Sequence, residues 1–459
     1  MDDSSLRPAL TRRSFTRLSA LAAGSSLLGR ASAAQPVPLA EPDIRLEIAP
    51  YTLEASPKHR FRTVAYNGQV PGPLLRMRQG RQQTVEVRNL TADPEVVHWH
   101  GLFLPSSVDG AMEEGTPMIA PGATARYSFT PDPQGFRWFH THTFAGKDMS
   151  KAQYGGQHGF LMIDAPDRPG AYDQEVFLAL HDWGGRLAGG DDGSMNPTYE
   201  VSTINGKMLG AGEPVRVRQG ERVLMHLLNS SPTEVHWVAL AGHSFRVIAL
   251  DGNAVPSPRT VPMLRLSPAE RVSAIVEMNA PGVWVLGEVR KHIYDAGMGI
   301  VVEYSGAKGQ PSWNQPEKLE WDYTQFASVD SAGAADAIRI ELTFDSKFKG
   351  HGSQELWQIN GKSYPHTDEP VLQAGRRYRL VLKNLSIDDH PIHLHRHTFE
   401  VRRVDGSAEL AGLRKDVVLV RSKTTAEVEF LADHPGRTLL HCHQQDHMDR
   451  GFMMVFRYA

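Results

Sequence analysis

The feature that most limits how this chain can fold is an internal repeat, one set of landmarks that runs through it three times. Asn67-Gly68, Asn205-Gly206 and Asn360-Gly361 each open a segment. Gly80, Gly220 and Gly375 follow, and a strand-like run ends nine residues later at Asn89, Asn229 and Asn384. The runs Gln83 to Arg88, Arg222 to Leu228 and Tyr378 to Lys383 alternate or fill with apolar residues as half-buried strands do. Further on, Gly135, Gly282 and Gly436 precede a short strand, and Gly159, Gly299 and Gly451 precede an apolar one. The 459 residues include 41 Gly and 30 Pro, and runs containing Val and Thr are cut by Pro-Gly and Asn-Gly. Short strands and tight turns follow from that, so the repeat predicts an all-β chain of three consecutive sandwiches, each of roughly 120 to 150 residues. They are placed at 41–168, 169–306 and 335–459, with the Pro-, Ser- and Ala-containing stretch 307–334 as a connector.

The repeats differ in their histidines. Nine and eleven residues after the strand-ending asparagine stand His98 and His100 in the first unit and His393 and His395 in the third, but Val238 and Leu240 in the second. Five and seven residues after the later glycine stand His140 and His142, then His441 and His443, but Gly287 and Val289 in the second. On a strand, residues i and i+2 project from one face, roughly 6.6 Å apart. Two parallel imidazoles at that separation suit two neighbouring metal ions better than one. Four such pairs supply eight nitrogen ligands, enough for about three ions at a seam between the first and third units.

Cys442 is the only cysteine, so no intrachain disulfide is possible. It lies between His441 and His443, and strand alternation turns its side chain to the opposite face, toward a different metal. With His390 and His447 nearby it can complete a His₂Cys site, whose thiolate and imidazoles together select copper.

His98-Trp99-His100-Gly101, His140-Thr141-His142, His390-Pro391-Ile392-His393-Leu394-His395 and His441-Cys442-His443 followed by His447 resemble the four copper motifs of the three-domain multicopper oxidases, here of bacterial, laccase-like type. The resemblance spans almost the whole chain after residue 34 and implies three cupredoxin-like Greek-key sandwiches. It implies about four copper ions: type 1 at His390, Cys442 and His447, type 2 at His98 and His393, and a type 3 pair at His100, His140, His142, His395, His441 and His443. His397 follows the motif as a neighbour of the ligands, and His236, His243 and His434 match no ligand position. Arg396 departs from the family pattern, which places Gly between the two histidines. Ten residues after Cys442, where the family sets a residue axial to type 1 copper, stands Phe452, a ring that cannot donate to metal.

Reducing dioxygen to water consumes protons, which calls for a carboxylate near the cluster. Asp109, eleven residues after His98, stands where related oxidases carry one, and Asp446 beside His447 is a second candidate. The implied activity is one-electron oxidation of phenolic or other aromatic donors coupled to four-electron reduction of dioxygen. The alternative is a metallo-oxidase of cuprous or another reduced metal ion, and a distant one is a copper-free exported scaffold of the same fold. The 15 Met are scattered and 307–334 contains none, which favours organic donors.

At the N-terminus, Arg12-Arg13 precede an uncharged stretch from Leu18 to Gly29 and then Ala31-Ser32-Ala33. This has the form of a twin-arginine export signal, residues 1–34, cleaved near 33–34. Twelve uncharged residues fall short of the roughly 20 that span a bilayer, so a stable membrane anchor is not expected. A periplasmic or otherwise exported protein, with the twin-arginine machinery as a partner, is the expectation. Removing five Arg and two Asp with the signal takes the formal charge from -3 to -6. With no basic patch, nucleic acid is excluded as a partner.

Overall fold

A computed structural model of the chain describes residues 41–165, 172–189, 195–328, 336–347 and 355–459. The export signal lies outside these residues, as do parts of the connector. Among the described residues no helix is long and apolar enough to cross a membrane.

Strands Ile44–Ser56, Gln174–Trp183 and Ile338–Lys347 each open one of three successive sandwiches. Each runs parallel to the strand that ends at a landmark asparagine: Ile44 opposes Val85, Val176 opposes Met225 and Ile340 opposes Leu380. Parallel neighbours cannot be joined by a hairpin. The chain therefore passes through the facing sheet between them, by way of Gly72–Arg78, Val215–Val217 and Val371–Leu372. In all three sandwiches this excursion pairs in parallel with a late strand, His158–Asp164, Gly299–Tyr304 or Met453–Tyr458. The same order in each unit gives three cupredoxin-like domains, as the repeat predicts.

The landmarks have physical reasons. Asn67, Asn205 and Asn360 have φ of 51°, 52° and 52°, and the glycines after them are also left-handed, the geometry of a tight Asn-Gly turn. Asn89, Asn229 and Asn384 are buried, and each amide group donates to carbonyls across the loop that follows: Asp93 and Ile119, Glu234 and Leu266, and Asp388, Val420 and Arg421. That loop delivers the next strand, Val97–His98, His236–Leu240 or His390–Leu394. The asparagine thus sets the height at which the histidine strands begin.

The described part of the expected connector, 307–328, is more ordered than its composition implies. Trp321, Tyr323 and Phe326 are buried and join one core shared by the second and third sandwiches. Tyr323 also bonds Glu270 and lies 4.9 Å beneath Lys415. Aromatic burial outweighs the Pro and Ser turns around it.

Candidate metal centre

The central strands of the first and third sandwiches bring the histidines together. His98 sits directly opposite His140, and His393 opposite His441. The second histidine of every pair falls one or two residues past its strand end, since the strands close at His98, Thr141, Leu394 and Cys442. The rings of a pair are consequently not parallel: centroids lie 4.8 to 6.2 Å apart with planes 33° to 65° apart. This corrects the expectation of parallel imidazoles but serves its purpose better. Nitrogens of His100, His140 and His443 converge in one group, those of His142, His395 and His441 in a second, and those of His98, His100 and His393 in a third. All eight residues are buried.

Their hydrogen bonds show what the rings are prepared to hold. Nδ1 donates to a backbone carbonyl in His98, His140, His393 and His441, at 2.7 to 2.9 Å, and to the Asp109 carboxylate in His395 at 2.8 Å. The second nitrogen then carries a bare lone pair. Nε2 of His98, His140 and His393 has no partner, and Nε2 of His395 faces Nε2 of His441 at 3.0 Å with no proton left to share. Burial, then the crowding of neighbouring imidazoles, holds His100, His140, His142, His395, His441 and His443 well below the ordinary histidine range. Neutral, converging, orphaned nitrogens fit cations of the kind imidazole binds.

Cys442 does turn to the other side of its strand. Its Sγ lies 3.8 Å from His390 Nδ1 and 3.5 Å from His447 Nδ1, and these two nitrogens are 3.2 Å apart. His390 Nε2 donates to Ser386 Oγ at 2.7 Å, leaving Nδ1 bare. Burial pushes the Cys442 thiol well up, so it keeps its proton until a soft cation displaces it. The Phe452 ring lies 4.7 Å from that of His390, and Trp357 packs 4.1 Å from His447. Met453 belongs to a separate apolar group with Ala111, Leu439, Met448 and Val455.

Asp109 is fully buried, and besides bonding His395 its carboxylate lies 3.1 Å from His98 Nδ1. Asp446 is found at the cysteine site instead, bonded by Arg450 and 4.0 Å from His447 Nε2. His397 donates from Nδ1 to the His395 carbonyl and meets the Tyr458 hydroxyl at 2.7 Å, away from the cluster. His236, His243 and His434 also stand apart, against Asp182 and Glu288, Tyr304, and Asp433 respectively.

Several buried charges at the cluster escape the sequence reading. Glu114 accepts from Leu439 N at 2.6 Å and is pushed well up by burial and then by the nearby Asp109. Asp416 receives His100 Nε2 at 3.1 Å and, through its backbone carbonyl, His393 Nδ1 at 2.7 Å. The one available signal for Asp416 is a Lys-Asp pair directly ahead of the apolar run Val417 to Val420.

Three cupredoxin-like sandwiches, with a histidine cluster between the outer two and a His₂Cys site one strand face away, define a copper-dependent oxidoreductase. The comparisons agree. Family models described as multicopper oxidase match residues 48–168, 180–296 and 339–459. The multicopper oxidase MmcO of Mycobacterium tuberculosis is 31% identical over 86% of this chain and 83% of its own. Laccase-1 of Pleurotus ostreatus is 26% identical over 84% of this chain and 82% of its own. The crystal structure of a multi-copper oxidase from Pseudomonas thermotolerans superposes with a TM-score of 0.73 at 26% identity, covering 90% of this chain and 98% of that one. The chain belongs to the multicopper oxidase family, with copper as cofactor, four ions as the family complement, and dioxygen as electron acceptor.

Proposed function

We propose that this enzyme is a laccase-like oxidase that takes electrons singly from phenolic or other aromatic donors. In this reading type 1 copper is held by His390, Cys442 and His447, type 2 by His98 and His393, and the type 3 pair by His100, His140 and His443 on one side and His142, His395 and His441 on the other. Bound copper supplies one-electron redox chemistry at the cysteine site and four-electron reduction of dioxygen at the histidine cluster. The observation that carries the assignment is the set of buried nitrogens left bare once every outer hydrogen bond is made.

The chain's own groups divide the remaining work. Cys442 is joined through one peptide unit to His441 and to His443, which gives electrons a short covalent path between the two sites. Asp109 beside His395 and His98, with Glu114 3.6 Å from the same His395 nitrogen, relays protons at the oxygen end. Asp446, held by Arg450 beside His447, serves the donor end as acceptor of the proton that a phenol gives up with its electron. The sandwich boundaries follow the repeat, at 41–168, 169–306 and 335–459. Residues 1–34 act as a twin-arginine signal directing the protein to the periplasm, which N-terminal sequencing of protein from the periplasmic fraction tests.

Against a metallo-oxidase stands the absence of a methionine-rich segment in the sequence, since soft thioethers suit cuprous ion. Steady-state rates with phenols and with cuprous ion, under equal oxygen, decide between them. A large preference for the metal would reverse the reading.

A further inference from the structure

The middle sandwich contributes no histidine to the cluster, yet one of its side chains reaches it. His100 is reversed relative to its neighbours: its Nε2 is engaged by Asp416 Oδ1 at 3.1 Å, and its Nδ1 is the orphaned, buried atom. The position of Asp416 dictates this reversal, and Arg271, on the middle sandwich's strand Arg271–Glu277, fixes that position. Its two terminal nitrogens donate to the two Asp416 oxygens at 2.6 Å each, a parallel fork between fully buried groups. Arg137 of the first sandwich adds a longer bond of 3.3 Å. Gly101 makes room, because a Cβ there would lie 2.7 Å from Asp416 Oδ2 and 3.0 Å from the Arg271 guanidinium.

We propose that Arg271 is a positioning residue for the copper cluster: through Asp416 it holds His100 with Nδ1 inward and the His393 ring in place, so the ligand-free middle sandwich governs loading of the cluster. The proposal rests on the ligand reading above. An arginine is needed because its planar fork sets both carboxylate oxygens at once, whereas lysine offers one point charge. Without it Asp416 keeps only the longer Arg137 bond and is free to turn away from His100, and both outer sandwiches lose an oriented ligand. Partners that orient metal-bound histidines typically govern metal affinity by roughly 10- to 100-fold.

The test compares the full chain with Arg271→Met, Arg271→Lys and Asp416→Asn after reconstitution with copper. Copper per chain, the visible thiolate-to-copper band and the rate of reoxidation of reduced protein by dioxygen are measured. The expected result is that Arg271→Met and Asp416→Asn keep the band while retaining cluster copper roughly 10- to 100-fold more weakly, with partial recovery in Arg271→Lys. If Arg271→Met fails to fold, the other two variants carry the test. Variants that hold the parent's copper and reoxidise at its rate, or that lose band and cluster copper together, overturn the proposal. A parent chain that takes up type 1 copper but no cluster copper would instead overturn the ligand reading, and this proposal with it.

Discussion

Asp109 owes its place to the residue after it. Gly110 has φ of 106°, and a Cβ there would lie 2.0 Å from the Val97 carbonyl, so only glycine lets this turn press against the His98 strand. Asp109→Asn preserves that turn and an acceptor for His395. We expect full copper and normal reduction by the donor, but reoxidation by dioxygen slowed by roughly 100-fold, the scale of a lost general acid; unchanged stopped-flow reoxidation across the working pH range returns Asp109 to a structural role. Arg396 shows a different use of a single position. Its backbone is left-handed, φ 61°, where glycine is at ease, yet its guanidinium bonds the carbonyls of Leu104, His434, Pro435 and Arg437 and the Thr438 hydroxyl. Arg396→Gly relieves about 1 kcal/mol of backbone strain but strands buried acceptors at about 1–3 kcal/mol each. Denaturant unfolding should show a net loss of roughly 3 kcal/mol or more, and a variant as stable as the parent would sink that accounting.

Strand register decides which neighbour of Gly451 reaches the cysteine site. Phe452 shares a core with Cys442 and packs against Phe344 at 5.0 Å, while Met453 packs with the other group. Phe452→Met should therefore lower the potential of the blue site by adding a weak axial donor, and Met453→Leu should leave it nearly unchanged; redox titration of the visible band checks both, and a shift confined to the Met453 variant refutes the register. In the middle sandwich the strand His236–Leu240 begins on a buried imidazole between Asp182 and Glu288, 3.0 Å from each. Burial alone would lower His236, but the two carboxylates outweigh it and hold the group at about 9. Asp182, which burial would raise, is held at about 2, chiefly by His236. The stability from the raised group is complete below the ordinary histidine range and is lost as pH climbs toward about 9. The part from Asp182 is complete above the ordinary aspartate range and is lost as pH falls toward about 2. The gap in unfolding free energy between the parent and His236→Gln should thus narrow as pH rises through that upper window, and parallel curves would falsify this account. The period-two and repeat logic that reveals the ligand strands does not reach such groups. His236, Glu114, Asp416 and Arg271 meet partners 52, 325, 316 and 145 residues away, with no local period to mark them.

At the scale of the molecule, the cluster is a junction. Four of its imidazoles come from the first sandwich and four from the third, and the nitrogens of His142 and His441 confront one another across the seam at 3.5 Å. The repeat makes this seam legible, because matching pairs in units one and three have nowhere else to meet. The cysteine site is different: His390, Cys442 and His447 all belong to the third sandwich. An ion that binds only the native state stabilises it by RT ln(1 + [L]/Kd), about 4 kcal/mol at a thousand times Kd. Emptying the cluster should therefore weaken the join between sandwiches, whereas emptying the cysteine site should weaken one sandwich internally. We expect chelation of all copper to lower the melting temperature by roughly 5–10 °C and to split the transition, with amides of the first sandwich exchanging hydrogen before those of the third. Cys442→Ser, which lacks only the type 1 ion, should keep a single transition and coincident exchange. If the chelated protein still unfolds in one step with both outer sandwiches exchanging together, the cluster is not what fastens them, and buried pairs such as Arg271 with Asp416 carry that role alone.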